Sequence, residues 1–180
     1  MIVLNRRDRR VIRFIEFFGC ASTTQLHKLF FGGVSLRRCQ QRLALLTKHR
    51  KIQRDREHLS ADFLYWCGKK PREITHMLMR VDFYISVNKR YTLASFVPEY
   101  SIGDLRADAY FEIYRNGMNV PYFLEVQRSP YLNQAKYERL FESGVWLDRW
   151  PHFPPVVVVS DTAMRFKDGN VRFISADQRL

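Results

Sequence analysis

Apolar residues in the first fifty positions recur at the three-to-four-residue spacing of amphipathic helices. Asn5 is a suitable N-cap for a helix over residues 6–18. Ser22, with Gln three positions later, has the pattern of a capping box that opens a short second helix. Ser35 can cap a third helix over residues 36–49. The pattern therefore predicts three consecutive helices at the start of the chain.

Two short segments, 51–56 and 61–66, follow these helices and predict a β-hairpin. Three helices followed by a hairpin is the order of elements in a winged helix-turn-helix, whose third helix enters the major groove of DNA. We therefore expect residues 1–67 to form a winged-helix DNA-binding domain. Residues 68–73 are polar, basic and interrupted by Gly and Pro, which is typical of a linker.

Residues 74–180 combine helical and strand patterns, so the expected fold class is α/β, or α+β for the chain as a whole. The segment 154–160 contains four consecutive valines, which predicts a strand buried on both faces. Asn116 and Gly117 form a two-residue turn signal between two alternating segments. The predicted elements are helix 73–88, strands 91–96 and 99–102, the hairpin at Asn116–Gly117, helix 130–142, strand 154–160 and strand 171–175.

The positive charge of the chain is concentrated near its start. Residues 1–60 hold 14 Lys and Arg against 4 Asp and Glu, a net charge of +10, whereas residues 61–180 hold 16 against 14. A generally basic surface would spread this charge evenly. The asymmetry instead indicates a nucleic-acid-binding module attached to a nearly neutral one, with double-stranded DNA as the expected partner.

Side chains on the third predicted helix suit base recognition, since Arg can bond guanine edges and Gln can bond adenine edges. The candidate base contacts are Arg37, Arg38, Gln40, Gln41 and Arg42. Basic residues outside that helix suit phosphate contacts: Arg6, Arg7, Arg9, Arg10, Lys51, Arg54 and Arg56. The alternative is that the exposed arginines only solvate the helix, or that the winged helix binds another protein.

Two carboxylates, Asp108 and Glu125, lie on the two strands of the predicted hairpin. Such carboxylates can converge on Mg²⁺ or Mn²⁺, as in a PD-(D/E)XK nuclease core, where the metal activates water against a phosphodiester. The usual Lys two positions after the Glu is Gln127 here, and Lys136 on the next helix is a candidate to supply its charge. The predicted catalytic set is Asp108, Glu125, Gln127 and Lys136, the first two as metal ligands.

Both carboxylates also have a structural interpretation. Glu125 would serve as an ion-pair partner for Arg106 across the hairpin, and Asp108 would cap the start of its strand. In both interpretations the carboxylate stabilises the fold and has no part in catalysis. The sequence leaves the structural and the catalytic roles open.

Several short motifs follow one another between residues 76 and 165. They are His76-Met-Leu-Met-Arg-Val-Asp82, Arg106-Ala-Asp-Ala109, Phe123-Leu-Glu-Val126, Lys136-Tyr137 and Val156 to Arg165. In these motifs the chain resembles the replication-relaxation family of plasmid and mobile-element proteins, which join a winged helix to a PD-(D/E)XK-like domain. The resemblance implies a role in replication or DNA relaxation of a plasmid, phage or other mobile element, or in its control, with replication proteins as partners. The family pattern has Pro before the Asp and an acid after the Glu, where this chain has Ala107 and Gln127.

No apolar run of about 18 residues is present, so a membrane-spanning helix is not expected. The three Cys are scattered without zinc-site spacing, which is typical of reduced thiols and favours a cytoplasmic location. The first functional hypothesis is a DNA-binding protein with a nuclease-like domain. The second is an active Mg²⁺-dependent DNA endonuclease or nickase. The third is a non-catalytic module for protein interaction or homodimer formation.

Overall fold

The computed structural model describes residues 2–129, 131–178 and 180, which form two compact units that divide between Ile85 and Ser86. The described residues contain five helices and eight strands, which confirms the α+β fold class. The helices are α1 (Arg6–Phe18), α2 (Thr23–Phe30), α3 (Leu36–Lys48), α4 (Ile74–Arg90) and α5 (Ala135–Ser143). The strands are β1 (Ala21–Ser22), β2 (Gln53–Asp55), β3 (Leu64–Trp66), β4 (Thr92–Ile102), β5 (Leu105–Arg115), β6 (Met118–Gln127), β7 (Val156–Ser160) and β8 (Phe173–Ser175).

The first three helices begin at the predicted capping residues. The Asn5 side chain accepts a hydrogen bond from the Asp8 amide, and the Asp8 carboxylate accepts one from the Asn5 amide, which closes a capping box at the start of α1. Ser22 and Gln25 make the same reciprocal bonds at α2. Ser35 accepts from the third amide of α3. These bonds satisfy orphan donors of the first turns and fix where each helix begins.

The first unit also contains a three-stranded antiparallel sheet in the order β1-β3-β2. Its β1 strand was not predicted, because two residues are too few to produce an alternating pattern. The core between helices and sheet is formed by buried apolar side chains of α1, α2, α3 and β3, which are Val11, Ile15, Leu26, Cys39, Leu43, Leu46 and Tyr65.

The division between the units falls inside α4, later than the linker predicted at residues 68–73. The first half of α4 packs within the first unit. Arg80, which is 2% exposed, donates a hydrogen bond to the Phe18 carbonyl at 3.1 Å. The Tyr84 ring lies 5.0 Å from the Phe18 ring. These long-range contacts extend the first unit beyond the polar segment where the sequence indicated its end.

The second unit is built on a five-stranded sheet in the order β4-β5-β6-β7-β8. The strands β4, β5 and β6 are antiparallel neighbours, whereas β7 is parallel to β6 and β8 is parallel to β7. The prediction of two strands at 91–96 and 99–102 was wrong, since β4 runs through both. Pro98 is accommodated because β4 lies at the edge of the sheet. The ladder continues across Glu99 although its φ is +53°.

The interior position of β7 in the sheet explains its apolar sequence. Val156, Val157 and Val158 are all at most 1% exposed, because β6 and β8 flank the strand and both faces of the sheet are covered. Helix α5 covers one face with the buried side chains of Tyr137 and Leu140. The predicted start of this helix at Pro130 lies outside the described residues, and α5 begins at Ala135.

Candidate functional site

The hairpin of β5 and β6 places the two predicted carboxylates opposite each other. Ala109 pairs with Leu124, so the next step along the same register sets Asp108 against Glu125. Directly opposed residues of antiparallel strands direct their side chains to the same face of the sheet. The two carboxylates are close enough for the charge of Asp108 to raise the pKa of Glu125.

Glu125 is a buried carboxylate with two strong partners. Its residue exposure is 2%, and its Oε1 atom accepts a hydrogen bond of 2.5 Å from the Tyr137 hydroxyl. The Lys136 ammonium lies 2.6 Å from the same oxygen. Burial raises the pKa of Glu125, Asp108 raises it further, and the bonds from Lys136 and Tyr137 offset only part of this.

Lys136 reaches this site from the first turn of α5. Its ammonium also donates to the Arg106 carbonyl at 3.1 Å, which ties the helix to β5 as well as to β6. The helix therefore packs over the carboxylates and brings a cation to Glu125. Lys136 was the predicted source of the positive charge that Gln127 lacks. Gln127, two positions after Glu125, is half-buried on the same strand, where it pairs with Ser160 of β7.

Asp108 bonds to the backbone of the neighbouring strand. Its Oδ2 atom accepts a 2.7 Å hydrogen bond from the Val126 amide, just beyond the last recorded pair of the β5–β6 ladder. The carboxylate thus bonds β6 where main-chain pairing of the two strands ends. The interpretation of Asp108 as a cap at the start of its strand was wrong, because β5 begins three residues earlier, at Leu105. The predicted pairing of Glu125 with Arg106 was wrong, since Arg106 pairs with Glu99 at 2.8 Å.

The carboxylate pair fits the chemistry of a hard divalent cation, which prefers oxygen ligands. Within the described ranges, no cluster of three or more His, Cys, Asp or Glu side chains could hold a metal ion. A cation bound here would therefore take Asp108 and Glu125 as its carboxylate ligands and complete its shell with water or phosphate oxygens. Because Lys136 already neutralises Oε1 of Glu125, the cation would bind beside the ammonium or displace it.

The third helix presents most of its predicted base-contacting residues to solvent. Arg37, Arg38, Gln40 and Gln41 are exposed, and Cys39, Leu43 and Leu46 form the buried stripe of the helix. The buried stripe fixes the helix on the core, so the four long polar side chains lie together along its outer surface in the first two turns.

Arg42 has a different environment from the other four. Its Nε donates to Oδ1 of Asp8 at 2.8 Å, and a second guanidinium nitrogen bonds Oδ2 of the same carboxylate. Asp8 is fully buried. Burial alone would raise the pKa of Asp8, but the bonds from Arg42 and from the Asn5 amide outweigh it, and the pKa is lowered. Arg42 thus joins α3 to α1 inside the unit, and we leave it out of the proposed DNA-contacting set.

The other basic candidates lie on α1 and around the β2–β3 hairpin. Arg6, Arg7, Arg9, Arg10, Lys51 and Arg54 are exposed, and Arg56 is half-buried. The guanidinium groups of Arg54 and Arg56 lie 4.4 Å and 4.7 Å from the centre of the Phe63 ring. Arg56 also donates to the Leu59 carbonyl at 2.8 Å. The hairpin therefore holds two of its cations in place on an aromatic ring.

Sequence reasoning missed two residues of these sites. Tyr137 was not among the predicted site residues, but its hydroxyl donates a hydrogen bond to the candidate metal ligand Glu125. Phe63 was read only as part of a strand, and it supports Arg54 and Arg56. The adjacency of Tyr137 to Lys136 was a weak signal for the first. The alternation of arginines with an aromatic residue across the hairpin was a weak signal for the second.

Comparisons with protein-family models, with curated proteins and with solved structures find no match to this chain. In the part of the chain that the structure describes, every helix is too short or too polar to cross a membrane.

Proposed function

We propose that the protein binds double-stranded DNA through its first unit, which acts as a winged helix-turn-helix. The observation that carries this proposal is the outer surface of α3, where Arg37, Arg38, Gln40 and Gln41 are exposed together in a region of net charge +10. The order of three helices with a β1-β3-β2 sheet supports it. In line with the family resemblance, the proposed setting is replication or DNA relaxation of a plasmid, phage or other mobile element.

In this proposal α3 enters the major groove with its N-terminal half. Arg37 and Arg38 bond guanine edges or phosphates, while Gln40 and Gln41 bond adenine edges. Arg54 and Arg56 on the β2–β3 hairpin contact the phosphate backbone, which positions the helix but carries no sequence information. The basic residues of α1 add further phosphate contacts.

The test is a titration of a fluorescent DNA duplex, observed by anisotropy, with the Arg37→Ala/Arg38→Ala variant. We expect the variant to bind at least about tenfold more weakly, since each base or phosphate contact contributes about 1 kcal/mol or more. The matched control is Arg165→Ala/Lys167→Ala, which removes two exposed cations from the second unit. Equal losses in both variants would mean that α3 is not the contact surface.

A second candidate function is metal-dependent cleavage of DNA by the second unit. It is favoured by the 2.6 Å contact between Lys136 and Glu125, because a cation from α5 stands beside the carboxylate pair where the strand itself offers Gln127. Asp108 and Glu125 would hold a divalent metal, which when bound would polarise the phosphate and lower the pKa of an attacking water. Lys136 would then stabilise negative charge on the phosphate oxygens.

Nicking of supercoiled plasmid in Mg²⁺ or Mn²⁺ tests this second candidate. The Asp108→Asn variant keeps an oxygen that can accept from the Val126 amide, so the strand end is preserved while the charge is lost. Asp104→Asn is the control, since Asp104 is an exposed acid of the same unit. Nicking that is abolished only by Asp108→Asn supports the candidate. The absence of nicking in the unaltered protein, or its persistence in Asp108→Asn, would reject it.

A further inference from the structure

The second unit contains a large cleft at the end of its sheet that is distant from the carboxylate pair. The cleft has a volume of about 1080 Å³, and the residues that line it include Arg90, Arg115, Arg172, Tyr91, Tyr114 and Tyr122. Arg115 is seven residues from Asp108 along β5, a separation of roughly 23 Å in an extended strand. The cleft is therefore separate from the candidate nuclease site.

The polar groups of the cleft come from different elements and converge. Tyr122 of β6 is 7% exposed. Burial raises the pKa of its phenol and Tyr91 raises it further, whereas the charges of Arg115 and Arg172 act in the opposite direction. Two guanidinium groups, one at the end of β5 and one just before β8, are thus close to the same buried phenol. Asp177 is the acidic side chain among the residues that line the cleft.

Two of these groups already bind main-chain atoms inside the cleft. Arg115 donates to the Leu180 main-chain oxygen at 3.0 Å, and the Leu180 amide donates to the Tyr91 hydroxyl at 3.1 Å. An arginine carries five N–H donors, so Arg115 retains donors for a second acceptor. The arrangement demonstrates that Arg115 is directed at oxygen acceptors within the cleft.

The size and composition of the cleft indicate the kind of ligand. Pockets for a single small molecule usually occupy about 300–1000 Å³, and this open cleft, at about 1080 Å³, lies at the upper end of that range and has room for a short chain. Guanidinium groups are preferred donors to phosphate oxygens. A chain of phosphates, as in a single-stranded nucleic acid, satisfies both features.

We propose that this cleft binds a short single-stranded stretch of nucleic acid. Arg90, Arg115 and Arg172 contact its phosphates. The proposal rests on the proposed function only for the choice of nucleic acid as the source of the phosphates. It adds a second binding surface, on the unit that does not carry the winged helix, with a preference for single strands.

The experiment measures binding of a fluorescent oligothymidylate by the full chain that carries Arg37→Ala/Arg38→Ala, so that the surface of α3 does not contribute. In this background we expect Arg115→Ala/Arg172→Ala to weaken binding by about tenfold or more and to lower the salt slope by about 0.7 per lost phosphate contact. Arg165→Ala/Lys167→Ala serves as the charge-matched control.

Arg90→Ala guards against an effect of misfolding, since Arg90 is exposed at the end of α4 and its removal should leave the melting temperature unchanged while weakening binding. Thymidine monophosphate, inorganic phosphate and polyglutamate are the competitors. Competition by oligothymidylate alone at low concentration supports the proposal. Equal competition by monophosphate would reduce the site to a nucleotide pocket, and competition by polyglutamate would indicate an acidic protein partner. Either result, or unaltered binding in all variants, overturns the proposal.

Failure of this proposal is distinguishable from failure of the proposed function. Loss of oligothymidylate binding with intact duplex binding by α3 rejects the cleft alone. Duplex binding that is insensitive to Arg37→Ala/Arg38→Ala, together with oligothymidylate binding that depends on Arg115, rejects the α3 surface and leaves the cleft in place.

Discussion

The ammonium of Lys136 lies 2.6 Å from the carboxylate of Glu125, and this contact joins α5 to β6, the central strand of the five-stranded sheet. Glu125 is buried, so its negative charge depends on Lys136 and on the Tyr137 hydroxyl for compensation. The same contact is the strongest feature in favour of a phosphodiesterase site in the second unit. A structural role of this contact predicts a loss of stability when Lys136 is removed, whereas a catalytic role predicts a loss of DNA cleavage.

Removal of Lys136 should destabilise the protein because it leaves a buried carboxylate without its cation. We expect Lys136→Ala to lower the free energy of unfolding by about 1–3 kcal/mol in urea titrations near neutral pH. Lys167→Ala, which removes an exposed lysine of the same unit, should change it by less than about 0.5 kcal/mol. Adding Glu125→Gln to Lys136→Ala should restore part of the loss. If the changes in unfolding free energy of Lys136→Ala and Glu125→Gln simply add in the double variant, that result would contradict a direct ion pair.

The raised pKa of Glu125 predicts a specific dependence of the free energy of unfolding on pH. Its folded-state pKa lies above its ordinary value of 4.5, so the folded state binds more protons than the unfolded state between these two values. Stability contributed by the protonated form is therefore present below about pH 4.5 and is lost as the pH rises through the folded-state pKa. Relative to Glu125→Gln, the unaltered protein should lose stability as pH rises across this window, in urea titrations at several pH values. A constant difference between the two proteins would contradict the prediction.

Replacement of Arg42 should act on the fold rather than on DNA recognition. Arg42→Ala leaves Asp8 buried without its cation, and we expect a loss of about 3–5 kcal/mol in the free energy of unfolding. Arg38→Ala, a neighbouring exposed arginine, is the control and should cost less than about 0.5 kcal/mol. A stable Arg42→Ala protein with weakened duplex binding would return Arg42 to the DNA-contacting set.

The Phe63 ring should influence DNA affinity through the two arginines that lie over it. Phe63→Leu retains an apolar side chain but removes the aromatic face, so we expect duplex affinity to fall by about two- to fivefold, which corresponds to about 0.5–1 kcal/mol. The effect should disappear in a chain that already carries Arg54→Ala/Arg56→Ala. If Phe63→Leu weakens both proteins equally, the ring acts on the fold and not through the arginines.

Local signals in the sequence were sufficient for the helices of the first unit. Asn5, Ser22 and Ser35 satisfy amides only a few residues away, so their side chains determine each start without tertiary context. The turn at Asn116–Gly117 was also predictable from local signals, and a two-residue turn sets the register of the hairpin. That register places Asp108 opposite Glu125.

Features that depend on distant residues were not predictable in the same way. The ion pair of Arg42 with Asp8 spans 34 positions, and the sequence alone does not distinguish Arg42 from its exposed neighbours. The extension of the first unit into α4 depends on the bond of Arg80 to Phe18, 62 positions away. Lys136 was foreseen only as a conditional partner, because its role required that α5 pack over the hairpin.

The central claim, that the first unit binds double-stranded DNA through its exposed cations, is tested most directly by the salt dependence of duplex affinity. Phosphate contacts release counterions, so the logarithm of the binding constant should fall linearly with the logarithm of the salt concentration. With about five phosphate contacts, affinity should decrease by several hundredfold between 50 mM and 200 mM salt, and Arg37→Ala/Arg38→Ala should have a shallower slope. Affinity that is independent of salt, or no duplex binding at low salt, would contradict the claim.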